Sequence, residues 1–425
     1  MSAAMFVSMI IFFAFSVPIA VAIGFASITG IQLFGSVPML VVPKEMFSAI
    51  DKFALGAIPF FILAGNLMEV GGISNRLVNF AKAIVGGLQG GLAMTCVMTC
   101  MIFAAVSGSS VATTFAIGAI LIPALIKHGY PTPFAAALQA TSAELGVIIP
   151  PSIPMILYGV SAEVSIGELF IAGIGPGVLI GGGLMFFVWL WSKIKGYGKD
   201  DHLGRMKFLH ATREAALALM MPVIILGGIY GGIFTPTEAA VVAVFYALIV
   251  GLFIYREIRV KDLYLIFRKS VVSSAVIMFI IANAGLFGFL ITRAGVPEAI
   301  GEFLKAHLNS PAMFLLGINF ALFFIGMFIE TSASIIVLAP ILAPVAVKFG
   351  VDPVHFGTIM VVNLALGMIT PPFGVNLFAA CTVARISLDT IVKDLVPFIL
   401  VIFACLMTIT YVPQVSLFLR DLVYM

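Results

Sequence analysis

Gly146-Val147-Ile148-Ile149-Pro150-Pro151 and, far downstream, Gly367-Met368-Ile369-Thr370-Pro371-Pro372 decide how this sequence folds. Each lies inside a long apolar run, near 134–160 and 353–386. Proline has no amide hydrogen and pushes the residue before it out of the α region. A helix that meets two consecutive prolines therefore unwinds, and its freed carbonyls turn sideways. Within an apolar bundle such backbone is tolerated only where protein buries it or it lines a wet cavity.

The two stretches stand 221 residues apart, and the same offset aligns what surrounds them. Pro123, Lys127, Gly129, Gly146, Pro150 and Pro151 fall on Pro344, Lys348, Gly350, Gly367, Pro371 and Pro372. Upstream of each lies an apolar stretch interrupted at its middle. Residues 92–127 are broken by Ser107-Gly108-Ser109-Ser110, and 312–347 by Glu330-Thr331-Ser332-Ala333-Ser334. Each predicts a re-entrant hairpin with a polar tip near mid-membrane. The tips keep register: Ser110 falls on Thr331, Ala112 on Ala333 and Thr113 on Ser334. A weaker echo, at an offset of 223, sets Leu63-Ala64-Gly65-Asn66-Leu67 and Gly72 against Leu286-Phe287-Gly288-Phe289-Leu290 and Gly295. Five full spans between Gly72 and Gly295, an odd number, invert one half relative to the other. Inverted repeats with helices broken at matching positions point to a secondary transporter.

Composition agrees. Of 425 residues, 62% are apolar and only 10% charged, against about 25% charged in soluble domains. No soluble core hides that much hydrocarbon. At roughly 20 residues per span the chain holds about ten. The expected class is an all-α polytopic membrane protein, with further spans near 3–32, 53–71, 167–192, 214–233, 236–255, 270–293 and 395–418. Continuous apolar runs exclude a transmembrane β-barrel, which needs alternation. A net charge of +3 without a basic face excludes nucleic acid as a partner. The apolar N-terminus lacks a basic start and runs on too long for a signal peptide, so it reads as a retained first span. Cys96, Cys100, Cys381 and Cys405 sit in apolar runs and read as packed thiols. Lys193, Lys195, Lys199, Arg205, Lys207 and Arg213 mark loop 193–213 as cytoplasmic, as Arg256, Arg259, Lys261, Arg268 and Lys269 mark 256–269. The first hairpin then opens from the cytoplasm and the second from outside.

Carbonyls of the unwound segments beside Ser and Thr hydroxyls make hard-oxygen shells suited to a small cation, aided by half-helix dipoles. Two such constellations imply two sodium sites, and half-helix N-termini at the same tips suit an anionic group. Ionisable residues at depth are functional candidates. Glu330 lies at the second tip. Arg293, closing the span 270–293, either clamps a substrate carboxylate or snorkels to headgroups. Glu144 is either a further candidate or a buried hydrogen-bonding group. Thr235-Pro236-Thr237-Glu238 has the form of a capping box with proline at the first helical position and reads as a helix start. Enzyme chemistry has little support: His128, His202, His210, His307 and His355 show no metal-ligand spacing, and Gly86-Gly87-Leu88-Gln89-Gly90-Gly91 lacks the Lys-Ser/Thr of a phosphate loop.

Ser107-Gly108-Ser109-Ser110-Val111-Ala112-Thr113, Gly146 through Pro154, Thr235-Pro236-Thr237-Glu238-Ala239 and Thr370-Pro371-Pro372-Phe373-Gly374, in this order, resemble the large membrane (M) subunit of tripartite ATP-independent periplasmic (TRAP) transporters. The resemblance covers essentially the whole chain and looks most like the sialic acid branch. It implies sodium-coupled uptake of an organic acid across a bacterial inner membrane by an elevator mechanism. It also implies two partners, a four-helix small membrane (Q) subunit and a periplasmic substrate-binding (P) protein. Residues 1–72 and 166–295 would be scaffold, 73–165 and 296–390 the two transport-domain repeats, and 391–425 a C-terminal span. One sodium ion would lie among Ser107, Ser110 and the carbonyls of Gly146, Ile149 and Pro150. The other would lie among Gly326, Thr331 and the carbonyls of Gly367, Thr370 and Pro371. Substrate contacts would fall on Ser107, Ser109, Arg293 and Glu330. An acid at 330 suits a hydroxyl or amide of a polyhydroxylated acid, which favours sialic acid over a plain C4-dicarboxylate. Because the chain begins at its first span, the small subunit is expected as a separate chain. A stand-alone divalent anion–sodium symporter of the same superfamily, or a membrane-embedded enzyme or assembly subunit, are the competing readings.

Overall fold

The structure, a computed structural model, describes residues 1–34, 37–198, 208–308 and 310–424. Lys199, Arg205, Lys207 and His202 lie outside them. The described residues are helical throughout, in this order: α1 Ser2–Ala14, α2 Ile19–Phe34, α3 Val41–Ile50, α4 Ala57–Val70, α5 Ile73–Val85, α6 Gly91–Ser107 and α7 Ser110–Lys127. Next come α8 Thr132–Ala143, α9 Leu145–Ile148, α10 Ile153–Ala162, α11 Ile166–Lys195, α12 Phe208–Tyr230, α13 Pro236–Ile249 and α14 Val260–Arg293. The chain closes with α15 Val296–His307, α16 Pro311–Gly326, α17 Thr331–Lys348, α18 Pro353–Met368, α19 Val375–Ala384, α20 Leu388–Tyr411 and α21 Gln414–Tyr424.

Among the described residues eight helices are long and apolar enough to cross a bilayer, nine if the bent pair is one span. Large apolar side chains such as Phe186, Phe245, Phe320 and Leu400 are exposed on the outside, as a lipid-facing surface requires. The break after Ile148 bends its helix by 42° before it resumes at Ile153. The counterpart break lies between Met368 and Val375. Both X-Pro bonds, Pro150-Pro151 and Pro371-Pro372, are cis. The elements also keep the register of the sequence: α7 and α17 each have 18 residues, and they start 221 positions apart, as do α8 and α18.

Two expected spans are interrupted. The run 3–32 is not one span. Pro18 has no amide to donate and Ser16 takes a left-handed φ of 59°, so the chain turns back. Met1 and Met5 near the start of α1 lie against Gly30 near the end of α2, which makes the pair an antiparallel hairpin. The run 395–418 likewise breaks at Pro413, leaving α21 as a separate helix. Its Arg420 reaches Asp352 at 2.8 Å, joining α21 to the start of α18.

α14 is longer than the span 270–293 by about ten residues, because Asp262 accepts from the Arg259 amide at 3.0 Å and starts the helix early. That extension carries Lys269 from the expected loop onto a helix face. At the other connection the capping box forms: Glu238 accepts from the Thr235 amide at 2.8 Å, and Thr235 accepts from the Glu238 amide at 3.3 Å. The halves interlock. α10 packs on α17 and α19 on α7, so each broken helix delivers its second segment to the hairpin of the other half.

Candidate functional site

The first tip is built by hydroxyls. α6 ends at Ser107, Gly108 turns the chain at a φ of 62°, and Ser109 caps α7 by accepting from the Ala112 amide. The Thr113 hydroxyl donates back to the Ser109 carbonyl at 2.8 Å and shares a 2.9 Å hydrogen bond with Ser107. Gly146 sits directly on this knot. A methyl group there would lie 2.7 Å from both the Ser109 carbonyl oxygen and the Thr113 hydroxyl, closer than packed atoms allow. Glycine at 146 is a requirement of that close approach.

The unwound segment leaves its carbonyls without helical donors, for a reason written in the sequence. The amides that would serve the carbonyls of Gly146 and Pro150 belong to Pro150 and Pro154, which have none. The amide that would serve Ile149 belongs to Ile153, and it donates to the tip carbonyl of Gly108 at 3.4 Å instead. Ser107, Ser109, Thr113 and Gly146 thus meet at one tip-and-break junction, with Ile149 and Pro150 in the unwound segment that follows and Ser110 opening α7. Their oxygen-only donor set fits a hard monovalent cation.

The second tip is built differently. Gly326 and Gly367 touch backbone to backbone: a methyl on Gly367 would lie 2.8 Å from the Met327 nitrogen, and one on Gly326 2.8 Å from the Leu364 carbonyl oxygen. The Gly374 amide, 221 positions after that of Ile153, donates to the Met327 carbonyl at 3.4 Å, two residues before the position that matches Gly108. Here, however, the Gly367 carbonyl keeps one donor, the Thr370 amide at 2.9 Å. Thr331 is fully buried with its hydroxyl on the Met368 sulfur. Glu330 caps α17, accepting from the Ser332 and Ala333 amides at 2.9 and 3.1 Å and from the Ser332 hydroxyl at 2.8 Å. Its charge serves the helix terminus.

The halves are joined between the tips. Asn376 accepts from the Thr114 hydroxyl and donates to Glu144 at 2.8 Å and to the Ala140 carbonyl at 3.0 Å. Glu144 is therefore a buried hydrogen-bonding group, with its second oxygen unpartnered among the described residues.

Beside the first tip opens a cavity of about 570 Å³, within the range of small-solute sites. Ser107 and Ser109 line it together with Asn66 and Glu69 of α4 and Lys269 and Ser273 of α14. Of the four expected substrate contacts, Ser107 and Ser109 line this cavity; Glu330 and Arg293 do not. Arg293 ends α14 exposed, with no hydrogen bond or ion pair among the described residues. The wall from α4 and α14 went unread in the sequence. Lys269 counted as a loop charge, and only the amide of Asn66 within an apolar run signalled it.

Irregular backbone held inside a bundle of apolar helices, next to a solute-sized cavity, is the build of a membrane transport protein. Residues 6–415 match the family described as tripartite ATP-independent periplasmic transporter, DctM component. The chain belongs to this family: it is a large permease subunit for organic-acid uptake, a multi-pass protein of the bacterial inner membrane. It is 46% identical to the isethionate TRAP transporter permease protein DctMQ of Oleidesulfovibrio alaskensis, a match covering 96% of this chain and 64% of that protein's length. It is 41% identical to the C4-dicarboxylate TRAP transporter large permease protein DctM of Rhodobacter capsulatus, over 96% of both. The sialic acid TRAP transporter large permease protein SiaM of Vibrio cholerae is 35% identical, over 95% of both. In fold the chain resembles the YdaH transporter of Alcanivorax borkumensis, with a TM-score of 0.60, 13% identity, and coverage of 90% of this chain and 88% of that one.

Proposed function

We propose that this permease drives the uptake of a small organic acid with two sodium ions, one at each tip-and-break junction. The halves form an inverted repeat, the hairpins are re-entrant, and the repeats move as an elevator against a scaffold that includes α4 and α14. A small four-helix membrane subunit and a periplasmic substrate-binding protein complete the machine. The observation that carries this reading is the paired junction: in each half an amide released by the break donates to a hairpin-tip carbonyl at 3.4 Å, with a glycine pressed against the tip. Sodium supplies the driving force; the chain's own residues hold its ligands at fixed spacing and keep the broken backbone away from lipid.

Overall resemblance to the sialic acid branch and a free carboxylate at Glu330 are what favour sialic acid in the sequence. With that group capping α17, we favour a smaller anion of the kind named for the relatives at 46% and 41% identity, a C4-dicarboxylate or a hydroxy-sulfonate such as isethionate. The test is uptake into proteoliposomes holding both membrane subunits, with the binding protein outside. Succinate or isethionate should accumulate only under an inward sodium gradient and only with binding protein present. Accumulation of sialic acid alone would overturn the substrate assignment, and uptake indifferent to sodium would overturn the coupling.

A further inference from the structure

The wall that α4 and α14 give this cavity carries one ammonium and one carboxylate among its lining residues, Lys269 and Glu69. They meet at 3.1 Å, with Lys269 57% and Glu69 29% exposed. A solvent-accessible pair of this kind contributes little to stability, so either partner exchanges readily for another. One residue along, Asn66 donates to the Ser270 hydroxyl at 2.8 Å. That hydroxyl in turn donates to the Ile266 carbonyl at 2.8 Å. The Asn66–Ser270 bond ties α4 to α14 and holds the wall in shape whether or not the ion pair is closed. The wall is therefore fixed while the ammonium is free to move.

An anion entering this cavity meets the hydroxyls of Ser107 and Ser109 and finds one cation among the lining residues, Lys269. We infer that Lys269 is the anion-recognising residue of the cavity. Glu69 holds its ammonium in waiting, and the ammonium leaves Glu69 for the carboxylate or sulfonate head of an organic acid seated against Ser107 and Ser109. Lysine is a compact point charge on a flexible four-carbon stem, so it accepts planar carboxylates and tetrahedral sulfonates alike, where a guanidinium fork would prefer the planar group. Glu69 then acts as the competitor that sets affinity and lets the solute leave. The inference rests on reading this cavity as the solute path.

Lys269→Gln and Glu69→Gln separate it from a structural strut, because they should move affinity in opposite directions. In proteoliposomes with both partners, Lys269→Gln should raise the KM for succinate or isethionate about tenfold, the size of one charge-assisted hydrogen bond. Glu69→Gln should lower it. Lys269→Arg should restore succinate uptake more fully than isethionate uptake. The sodium concentration for half-activation should stay at the wild-type value in all three. If both glutamine variants lower the maximal rate alike with KM unchanged, the pair is a strut and the inference falls. Failure of the wild type to take up either anion would instead overturn the proposed function itself, and the inference with it.

Discussion

The two hairpin tips share a layout and differ in chemistry. The first is a knot of hydroxyls around Ser107, Ser109 and Thr113, and it borders a cavity of about 570 Å³. The second is capped by the Glu330 carboxylate, backed by the Met368 sulfur and flanked by Phe328 and Phe373 with ring centroids 5.7 Å apart. The glycine contacts and the 3.4 Å tip bonds are common to both. What the halves share is thus the means of holding an unwound backbone, which a cation needs. What differs is the polar face that the first tip turns to this cavity.

The largest effects are expected at the part the two tips share. Gly146→Ala and Gly367→Ala each put a methyl within 3 Å of backbone, so both should abolish uptake, and equally. A permissive Gly146→Ala beside an inactive Gly367→Ala would mean that only the second junction is close-packed. The comparison sharpens at the unshared part. Ser107→Ala should raise the substrate KM several-fold. Glu330→Gln should leave KM unchanged and cost about 1 kcal/mol of thermal stability, as a weakened helix cap does. Arg293→Ala should keep uptake within twofold of wild type, because the side chain is outside the cavity.

The smallest effect expected is at α21. Burial alone would raise the Asp352 carboxyl, but the Arg420 guanidinium and the amides of His355 and Val354 outweigh it and hold the group below its ordinary value. A carboxyl so depressed contributes stability above its unfolded pKa of about 3.9, and that contribution is lost as pH falls through the lower folded value. Protection of residues 414–424 against hydrogen exchange, relative to the intrinsic rate at each pH, should therefore fall on acidification through that range, and in Asp352→Asn already at neutral pH. Exchange that ignores both changes would show that Arg420 does not hold α21.

Much of this was legible because its causes are local. Double prolines withhold their own amides, and an N-cap sits next to the helix it starts, so the starts of α7 and α17 and the breaks after Ile148 and Met368 could be read from the chain. Pro18 and Pro413 carried the same signal, but the apolar runs around them masked it. The cavity wall was not legible, since Lys269 and Glu69 lie 200 positions apart and nothing in either neighbourhood announces the other. The choice between the two readings of Arg293 stays open in the sequence for a related reason. A charge at the end of an apolar run fixes depth, while the phase of the helix, which decides what the side chain faces, depends on packing.

The account stands or falls on whether each junction holds an ion. Equilibrium binding of radioactive sodium to the purified two-subunit complex should be saturable in the wild type, with Ser110→Ala and Thr331→Ala each losing about half of the bound ions and the double variant nearly all. If both single variants bind as much sodium as the wild type with unchanged affinity, the paired junctions are only structural.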